Sequence, residues 1–482
     1  LRPKIEINNY LKKVSIFLKI IETKIILKFF NSNVKDNIQS VWFRSTFPAN
    51  WLDLNNNFYE RQYRNLFLKG RIEKYSKSYL IFLLRHAKDK NIGFISLILL
   101  LKKLVSRHSG KIYFPETYVT LLDIYRIFRD TKLEKRKFNK LIKNNKFRNL
   151  FKFGNVGLEE ILIDEYKNSY HGHLQYNKIQ GIAFYRFFRK LKKPQILVTY
   201  GEFFTHSKIS YYFLKKVNQN NQIISLQHAF NSQNKIQSYF RKSEFYSNQN
   251  NIYGRNISPS PDFLLLQGKQ YFNIAKKFFK ENKISIIGSL KNSHTIHSEQ
   301  KLFKIKKNVK QKFNADDKRI VLLAPSVNDI SQILSILQSF EKEINWIFIL
   351  KPHPSQSKKD IQLLIKKYNL KIKIFLSHNI PLEHLIISSS LVISGYSSVG
   401  IEALFYGKNS VRVSRYGEFP LFDKDKNIPT FYDPKKFKNW FQNQKLGDYD
   451  IKRKKIYDFY IFNDKQSTES RFWNFIENKI IK

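Results

Sequence analysis

The chain has 482 residues, 42% hydrophobic and 16% aromatic, which suits two or three domains with sizeable cores and is too aromatic for a disordered chain. It carries 86 basic against 38 acidic residues, a formal net charge of +48, with 16 Gly and 13 Pro, too few for a collagen-like or low-complexity chain. The absence of cysteine excludes a disulfide scaffold, a thiol nucleophile and a cysteine-ligated metal site.

From the N-terminus, residues 14–30 are apolar but broken by Lys19, Glu22, Lys24 and Lys28. No small-residue cleavage site follows, so the stretch reads as a core helix, or a basic amphipathic helix on a membrane surface, rather than a signal peptide. Leu1 at the start and the absence of Met read as an incomplete N-terminus or an unusual gene model. Residues 41–43 are expected to form the first strand of a sheet. Residues from about 52 to 150 are basic and read as an inserted helical region. Its best apolar run, 92–101, stops at Lys102-Lys103, well short of the about 20 residues a membrane span needs. Strands are expected at 195–199, 223–226, 262–266 and 284–287, ending at Tyr200-Gly201-Glu202, Gln227-His228, Gln267-Gly268 and Gly288. Helices lie between them, and the polar stretch 291–317 is the expected linker.

The second half is more regular. The apolar run 319–324 stops at Pro325-Ser326, and Asp329 is expected to cap a helix with Ile330, Ile333, Leu334 and Leu337 at helical spacing. A strand at 346–350 stops at Lys351-Pro352-His353-Pro354, and strands near 372–375, 391–394 and 411–413 alternate with further helices. Such alternation predicts an α/β fold with parallel sheets covered on both faces. The expected arrangement is two Rossmann-like domains, 1–290 with the N-terminal helical region inserted and 318–482, facing a cleft. Ligands of open α/β sheets bind outside the carboxyl ends of the strands, where each motif falls.

Two segments of the second half carry chemistry. In Lys351-Pro352-His353-Pro354 the prolines fix the backbone and remove amide donors, which aims Lys351 and His353 at a nucleotide or diphosphate; a rigid turn with a surface lysine is the alternative. Ser394-Gly395-Tyr396-Ser397-Ser398 joins a strand to a helix, where backbone amides and hydroxyls favour phosphate; plain helix capping is the alternative. Glu402 lies one turn past Ser398. It suits a ribose diol, or simply the helix N-terminus.

The spacing Ser397-Ser398-x-x-x-Glu402-Ala403-Leu404-x-x-Gly407-Lys408, after Lys351-Pro352-His353-Pro354, resembles the donor half of GT-B-type transferases of bacterial surface polysaccharides. Capsule β-Kdo transferases, bacterial sialyltransferases and CDP-glycerol glycerophosphotransferases share the pattern. The order Tyr200-Gly201-Glu202, Gln227-His228, Pro261-Asp262…Gly268 is similar to a surface carbohydrate biosynthesis family of O-antigen clusters. The similarity covers roughly residues 195–415. The acidic-acidic-Gly motif of the sialyltransferases is not visible, and Gly395 stands where the teichoic family usually has Asp.

The resemblance implies a GT-B fold, with an N-terminal acceptor domain and a C-terminal donor domain. It implies an inverting, metal-independent glycosyltransferase without cofactor. The donor would be a cytidine or uridine nucleotide-sugar, CMP-linked sugars among them, and the acceptor a glycan or lipid-linked glycan of O-antigen or capsule. Lys351, His353, Pro354, Ser397, Ser398 and Glu402 would bind the donor. Transfer to a hydroxyl needs a group that removes its proton; Glu202 and His228 are the candidates, with His206 third. His171-Gly172-His173, Asp423-Lys424-Asp425 and Asp448-Tyr449-Asp450 read as loops, so no metal site is expected.

Two other readings stay open. One is a nucleotide-sugar 2-epimerase of the same fold, although that family tends to carry Ser-Gly-Gly where this chain has Ser394-Gly395-Tyr396. The other is a non-catalytic basic protein that binds polyanions or membrane. The lysines are spread over the chain without an RNP, zinc-finger or KH signature, so no nucleic-acid partner is expected. An anionic membrane surface and a solvated surface shaped by an A/T-rich genome remain. The expected location is the cytoplasm or the inner face of its membrane.

Overall fold

The apolar runs become strands of two parallel sheets. The computed structural model describes residues 25, 27–28, 30, 40–46, 51–54, 57–60, 63, 66, 76–82, 94–108, 111–149, 152–153, 156–170, 173–201, 204–227, 258–290, 298–326, 329–340, 345–353, 356–377, 379–414, 428–443, 457–464 and 466–479. The chain divides into two compact units, Leu1–His228 with Arg241–Leu265, and Ala229–Phe240 with Leu266–Lys482.

The first half runs through β1 (Ser40–Thr46), the hairpin β2 (Trp51–Leu54) and β3 (Asn57–Glu60), β4 (Ser76–Phe82), α1 (Phe94–Arg107), β5 (Ile112–Tyr113) and α2 (Leu121–Leu141). It continues with α3 (Asn145–Asn149), the hairpin β6 (Lys152–Phe153) and β7 (Val156–Gly157), α4 (Glu159–Ser169), α5 (His173–Phe188), β8 (Ile196–Tyr200), α6 (Thr205–Val217) and β9 (Gln222–Leu226). After β10 (Phe263–Leu266), α7 (Lys269–Ala275) and β11 (Ile284–Ile286), the seven-stranded sheet has the order β11-β10-β9-β8-β1-β4-β5. The expected first strand is therefore central. Trp42 of β1 and Leu197 of β8 pack with Phe184, Phe187 and Phe188 of α5 in one core.

The stretch expected to be helical holds α1, α2 and α3, but also β4, which pairs with β1 in parallel from Ser40↔Ser76 to Thr46↔Phe82. No Gly or Pro sets β4 off in the sequence Glu-Lys-Tyr-Ser-Lys-Ser-Tyr-Leu-Ile-Phe, so its apolar end reads equally as helix.

The second half runs α8 (Glu299–Lys312), β12 (Arg319–Ala324), α9 (Ile330–Ile336), β13 (Trp346–Leu350), α10 (Lys358–Lys367), β14 (Ile374–Leu376), α11 (Leu382–Ser388), β15 (Leu391–Ser394), α12 (Val399–Phe405), β16 (Asn409–Val413), β17 (Thr430–Phe431), α13 (Pro434–Asn443) and α14 (Thr468–Lys479). Its six-stranded sheet has the order β14-β13-β12-β15-β16-β17, the doubly wound pattern in which the first strand is central. Alternate residues serve opposite faces: Val321, Leu323, Phe348 and Leu350 enter one core, Ile320, Leu322, Ile347 and Ile349 the other. Two-sided burial is why these strands are unbroken apolar runs.

Candidate functional site

In the second sheet the chain winds outward in one direction from β12 to β14 and in the other from β15 to β17. In doubly wound sheets ligands bind at such a reversal, which here lies outside the carboxyl ends of β12 and β15. Leu323 pairs with Leu350 on one side and Ile393 on the other. Three loops therefore leave the sheet at one level: Pro325-Ser326, Lys351-Pro352-His353 and Gly395-Tyr396-Ser397-Ser398. The exits of β13 and β15 lie two strand spacings apart, about 10 Å.

A buried carboxylate ties two of these loops together. Asp329 is 1% exposed and holds the N-cap position of α9, but its side chain makes no capping bond there. Its Oδ1 accepts from the Ser326 amide at 2.6 Å, and its Oδ2 accepts from Ser326 Oγ at 2.8 Å and from the Tyr396 amide at 2.6 Å. The expected helix cap is thus corrected to a brace, whose far partner lies 67 residues along the chain. The same carboxylate explains Gly395, where a Cβ would lie 2.5 Å from Asp329 Cγ.

Arg412 of β16 holds the loop from below. It is fully buried, donates Nε–H to the Gly395 carbonyl at 3.2 Å and lays its guanidinium 5.2 Å from the Tyr396 ring centroid. Burying a carboxylate and a guanidinium against one short loop is costly unless each is compensated.

The serines of this loop are partly exposed. Ser397 Oγ accepts from the Val399 amide at 3.4 Å, and Ser398 Oγ donates to Glu402 Oε1 at 2.9 Å. Burial, then the nearby Glu402 charge, push the Tyr457 phenol well up. His353 is exposed, and its backbone amide donates to Gln356 Oε1 at 3.1 Å. Lys351 is turned aside: its Nζ donates to the Ile380 carbonyl at 2.8 Å. The structure thus brings Lys351, His353, Ser397, Ser398 and Glu402 to one end of one sheet, while Pro354 lies outside the described residues.

Burial holds the Lys351 ammonium below its usual value of 10.5. Between that depressed value and 10.5 the unfolded chain keeps a proton the folded chain has lost, so stability rises with pH across this window. Buried tyrosines with raised pKa values pull the other way at alkaline pH. In urea melts at stepped alkaline pH, it is therefore the stability of the native protein relative to Lys351→Met that should rise across this window.

Glu202 and His228 lie outside the described residues, as do His171, Asp423, Asp425, Asp448 and Asp450. His206 sits in the first turn of α6 with its ring against Tyr200 and Phe204. Among the described residues no three His, Asp or Glu side chains cluster as a metal-holding group.

The first sheet reverses between β1 and β8, and a buried polar cluster that no sequence motif marks lies there. Arg44, 2% exposed, donates to Gln180 Oε1 at 3.2 Å and lies 4.9 Å from the Phe82 ring centroid. Glu60, fully buried, accepts from Ser45 Oγ at 3.0 Å and from the Tyr63 amide at 2.8 Å. Tyr63 donates its hydroxyl to the Arg44 carbonyl at 2.9 Å, and burial followed by the Glu60 charge pushes its pKa far up. The Thr46 and Tyr200 hydroxyls meet at 3.3 Å. The available signal was a charge, Arg44, inside the apolar run Val-Trp-Phe-Arg.

No family model matches the sequence, and no curated protein matches it. Solved structures do match by fold. The UDP-GlcNAc 2-epimerase of Neisseria meningitidis bound to UDP-GlcNAc is 11% identical, with 92% of this chain and 100% of that chain covered at a TM-score of 0.50. The wall teichoic acid polymerase TagF soaked with CDPG is 12% identical, with 98% of each chain covered and a TM-score of 0.48. The UDP-GlcNAc 2-epimerase of Methanocaldococcus jannaschii with UDP-GlcNAc and UDP is 16% identical, with 63% of this chain and 81% of that chain covered and a TM-score of 0.41. At the first of these values the likeness shows a shared fold of two parallel-sheet α/β domains, GT-B-like in kind.

Proposed function

We propose that the chain is a glycosyltransferase whose C-terminal unit holds a nucleotide-sugar by its diphosphate or phosphate at the reversal between β12 and β15. The observation that carries this reading is the Gly395–Ser398 loop, clamped between buried Asp329 and buried Arg412 at the same end of the sheet as the exposed His353. A fold shared with an enzyme solved with UDP-GlcNAc in place supports a nucleotide-sugar as ligand.

In this reading His353 meets the nucleotide, Ser397 and Ser398 meet the leaving phosphate, and Glu402 meets the ribose. The acceptor hydroxyl attacks the anomeric carbon from the face opposite the phosphate, the carbon–phosphate-oxygen bond breaks, and the configuration inverts. Charge developing on the departing phosphate is met by donors already fixed in place. The acceptor proton passes to Glu202 or His228. The reaction requires no metal, and the acceptor is a surface glycan of O-antigen or capsule type, free or lipid-linked, met at the inner face of the cytoplasmic membrane.

A thermal-shift series with CMP, CDP, UDP and GDP tests the site, because a ligand bound only by the folded state raises the melting temperature. One nucleotide should raise it, and His353→Ala and Ser398→Ala should each remove that rise without lowering the ligand-free melting temperature. No response to any nucleotide, or an undiminished response in both variants, overturns the site. Incubation with the matching nucleotide-sugar then separates the chemistries. Turnover that needs an added glycan supports transfer, whereas a 2-epimer formed without acceptor replaces it with the epimerase reading.

A further inference from the structure

The N-terminal unit carries an exposed helix face whose chemistry the proposed reaction does not use. Helix α2 opens with a capping box between Thr120 and Asp123 and buries Ile124, Ile127, Thr131 and Phe138. At 1.5 Å per residue its 21 residues extend over about 30 Å. On the opposite face Leu121 is 55% exposed, Leu122 54%, Tyr125 61% and Leu133 46%. At 3.6 residues per turn these four share that face with Arg126, Lys132, Arg136, Lys137 and Lys140, all exposed. Arg129 lies there too, paired at the flank with Asp130, while Glu134 is drawn off to Lys178 of α5. Among the described residues no other carboxylate of α2 is exposed beside these cations.

From this face we infer that α2 docks the protein flat on an anionic lipid surface. Single exposed leucines are ordinary, but four apolar side chains interleaved with five cations along one helix are not a merely solvated face. Lipid headgroups supply the negative charge, each nearby Lys or Arg adding to the attraction. The leucines and the tyrosine ring enter the headgroup–acyl boundary while the long cationic side chains reach back to phosphate. A nucleic-acid backbone would satisfy the cations and leave the leucines in water. No helix among the described residues is long and apolar enough to cross a membrane, so the contact is one of lying on the surface. The inference deepens the membrane-facing part of the proposed function, but it rests on the helix face alone and is read out by lipid binding rather than by turnover.

Sedimentation of the full chain with phosphatidylcholine vesicles, with and without phosphatidylglycerol, tests the inference. The native protein should bind only the anionic vesicles. Removing three charges by R126Q, K132Q and R136Q together should weaken binding roughly 100-fold. L122S with L133S keeps the charge and should still weaken it roughly tenfold. K304Q, K306Q and K307Q together remove the same charge from α8 and should change binding only slightly. Each substituted side chain is exposed, and unchanged circular dichroism and melting temperature confirm folding. Absence of binding by the native protein overturns the inference. So does an equal loss in the α8 variant, which makes the effect one of overall charge. So does full binding by the leucine variant, or a single-stranded oligonucleotide that displaces the vesicles and ignores that variant. Nucleotide-induced thermal shifts should be the same in all of these proteins, which separates this surface from the donor site.

Discussion

Asp329→Ala should abolish the nucleotide-induced thermal shift and lower the unfolding free energy by about 2–4 kcal/mol, since it strips hydrogen bonds from the Ser326 and Tyr396 amides and leaves a cavity. Asp329→Asn has the same shape but replaces one carboxylate oxygen with a carboxamide NH2, which only donates. With Ser326 N–H on one oxygen and Tyr396 N–H on the other, that NH2 must face an amide donor in either orientation. Asn should therefore fail to rescue, with nucleotide affinity down at least roughly tenfold, because one charge-assisted bond is lost in either orientation and the other is left to a neutral oxygen. Gly395 provides an internal check. Gly395→Ala alone drives a methyl group into the Asp329 carboxylate and should be severe. In the Asp329→Ala background the carboxyl group is gone and only the Cβ of residue 329, 2.9 Å away, still crowds the methyl. Most of the clash is then relieved, so the double variant should be more stable than the sum of the singles by about 1 kcal/mol. Urea melts and calorimetric titration with the nucleotide measure both quantities. If Asp329→Asn binds nucleotide as the native protein does while losing stability, Asp329 is a core residue without a part in positioning the loop.

The strands of the second sheet were legible because burial on both faces forces unbroken apolar runs, and Pro325, Pro352 and Gly395 mark where three of them stop. The existence of β1 was legible for the same reason, but its internal place in the sheet, between β8 and β4, was not. β4 was not, because its apolar half is short and its polar half matches the surrounding basic stretch. Asp329 shows a different limit. Its position before a helix was read correctly, yet its side chain serves another loop, and no local pattern reports a contact across 67 residues. The placement of His353, Ser397 and Ser398 at one sheet end followed from strand order alone, whereas the turning of Lys351 towards Ile380 depends on a carbonyl outside its own motif. Arg44 and Arg412 were visible as charges within apolar strands. Read as exceptions to two-faced burial, they point to the strand ends at which each sheet reverses.

Gly288→Ala should destabilise the protein by about 3 kcal/mol or more, since it combines a strained dihedral with a clash against fixed backbone. Gly288 has φ +88, and a Cβ there would lie 2.5 Å from the Phe462 carbonyl oxygen and 2.9 Å from Thr468 Oγ1. The C-terminal segment is anchored at this place. The Phe462 amide donates to the Gln267 carbonyl at 2.7 Å, Arg471 Nε donates to the Ile287 carbonyl at 2.7 Å, and Arg471 also pairs with Asp464. Relief of the clash must move Phe462, and with it the bonds that hold α14, whose Phe472, Trp473 and Ile476 are buried. Gly201 is the comparison, with φ +78 and the Phe204 ring as the nearest obstacle. A side chain at the start of α6 can rotate away where a backbone carbonyl cannot, so Gly201→Ala should cost only about 1–2 kcal/mol, mostly from the dihedral. Equilibrium urea melts of the two variants rank them directly. If Gly201→Ala proves the more damaging, α14 is not fixed by the approach of Gly288 to Phe462.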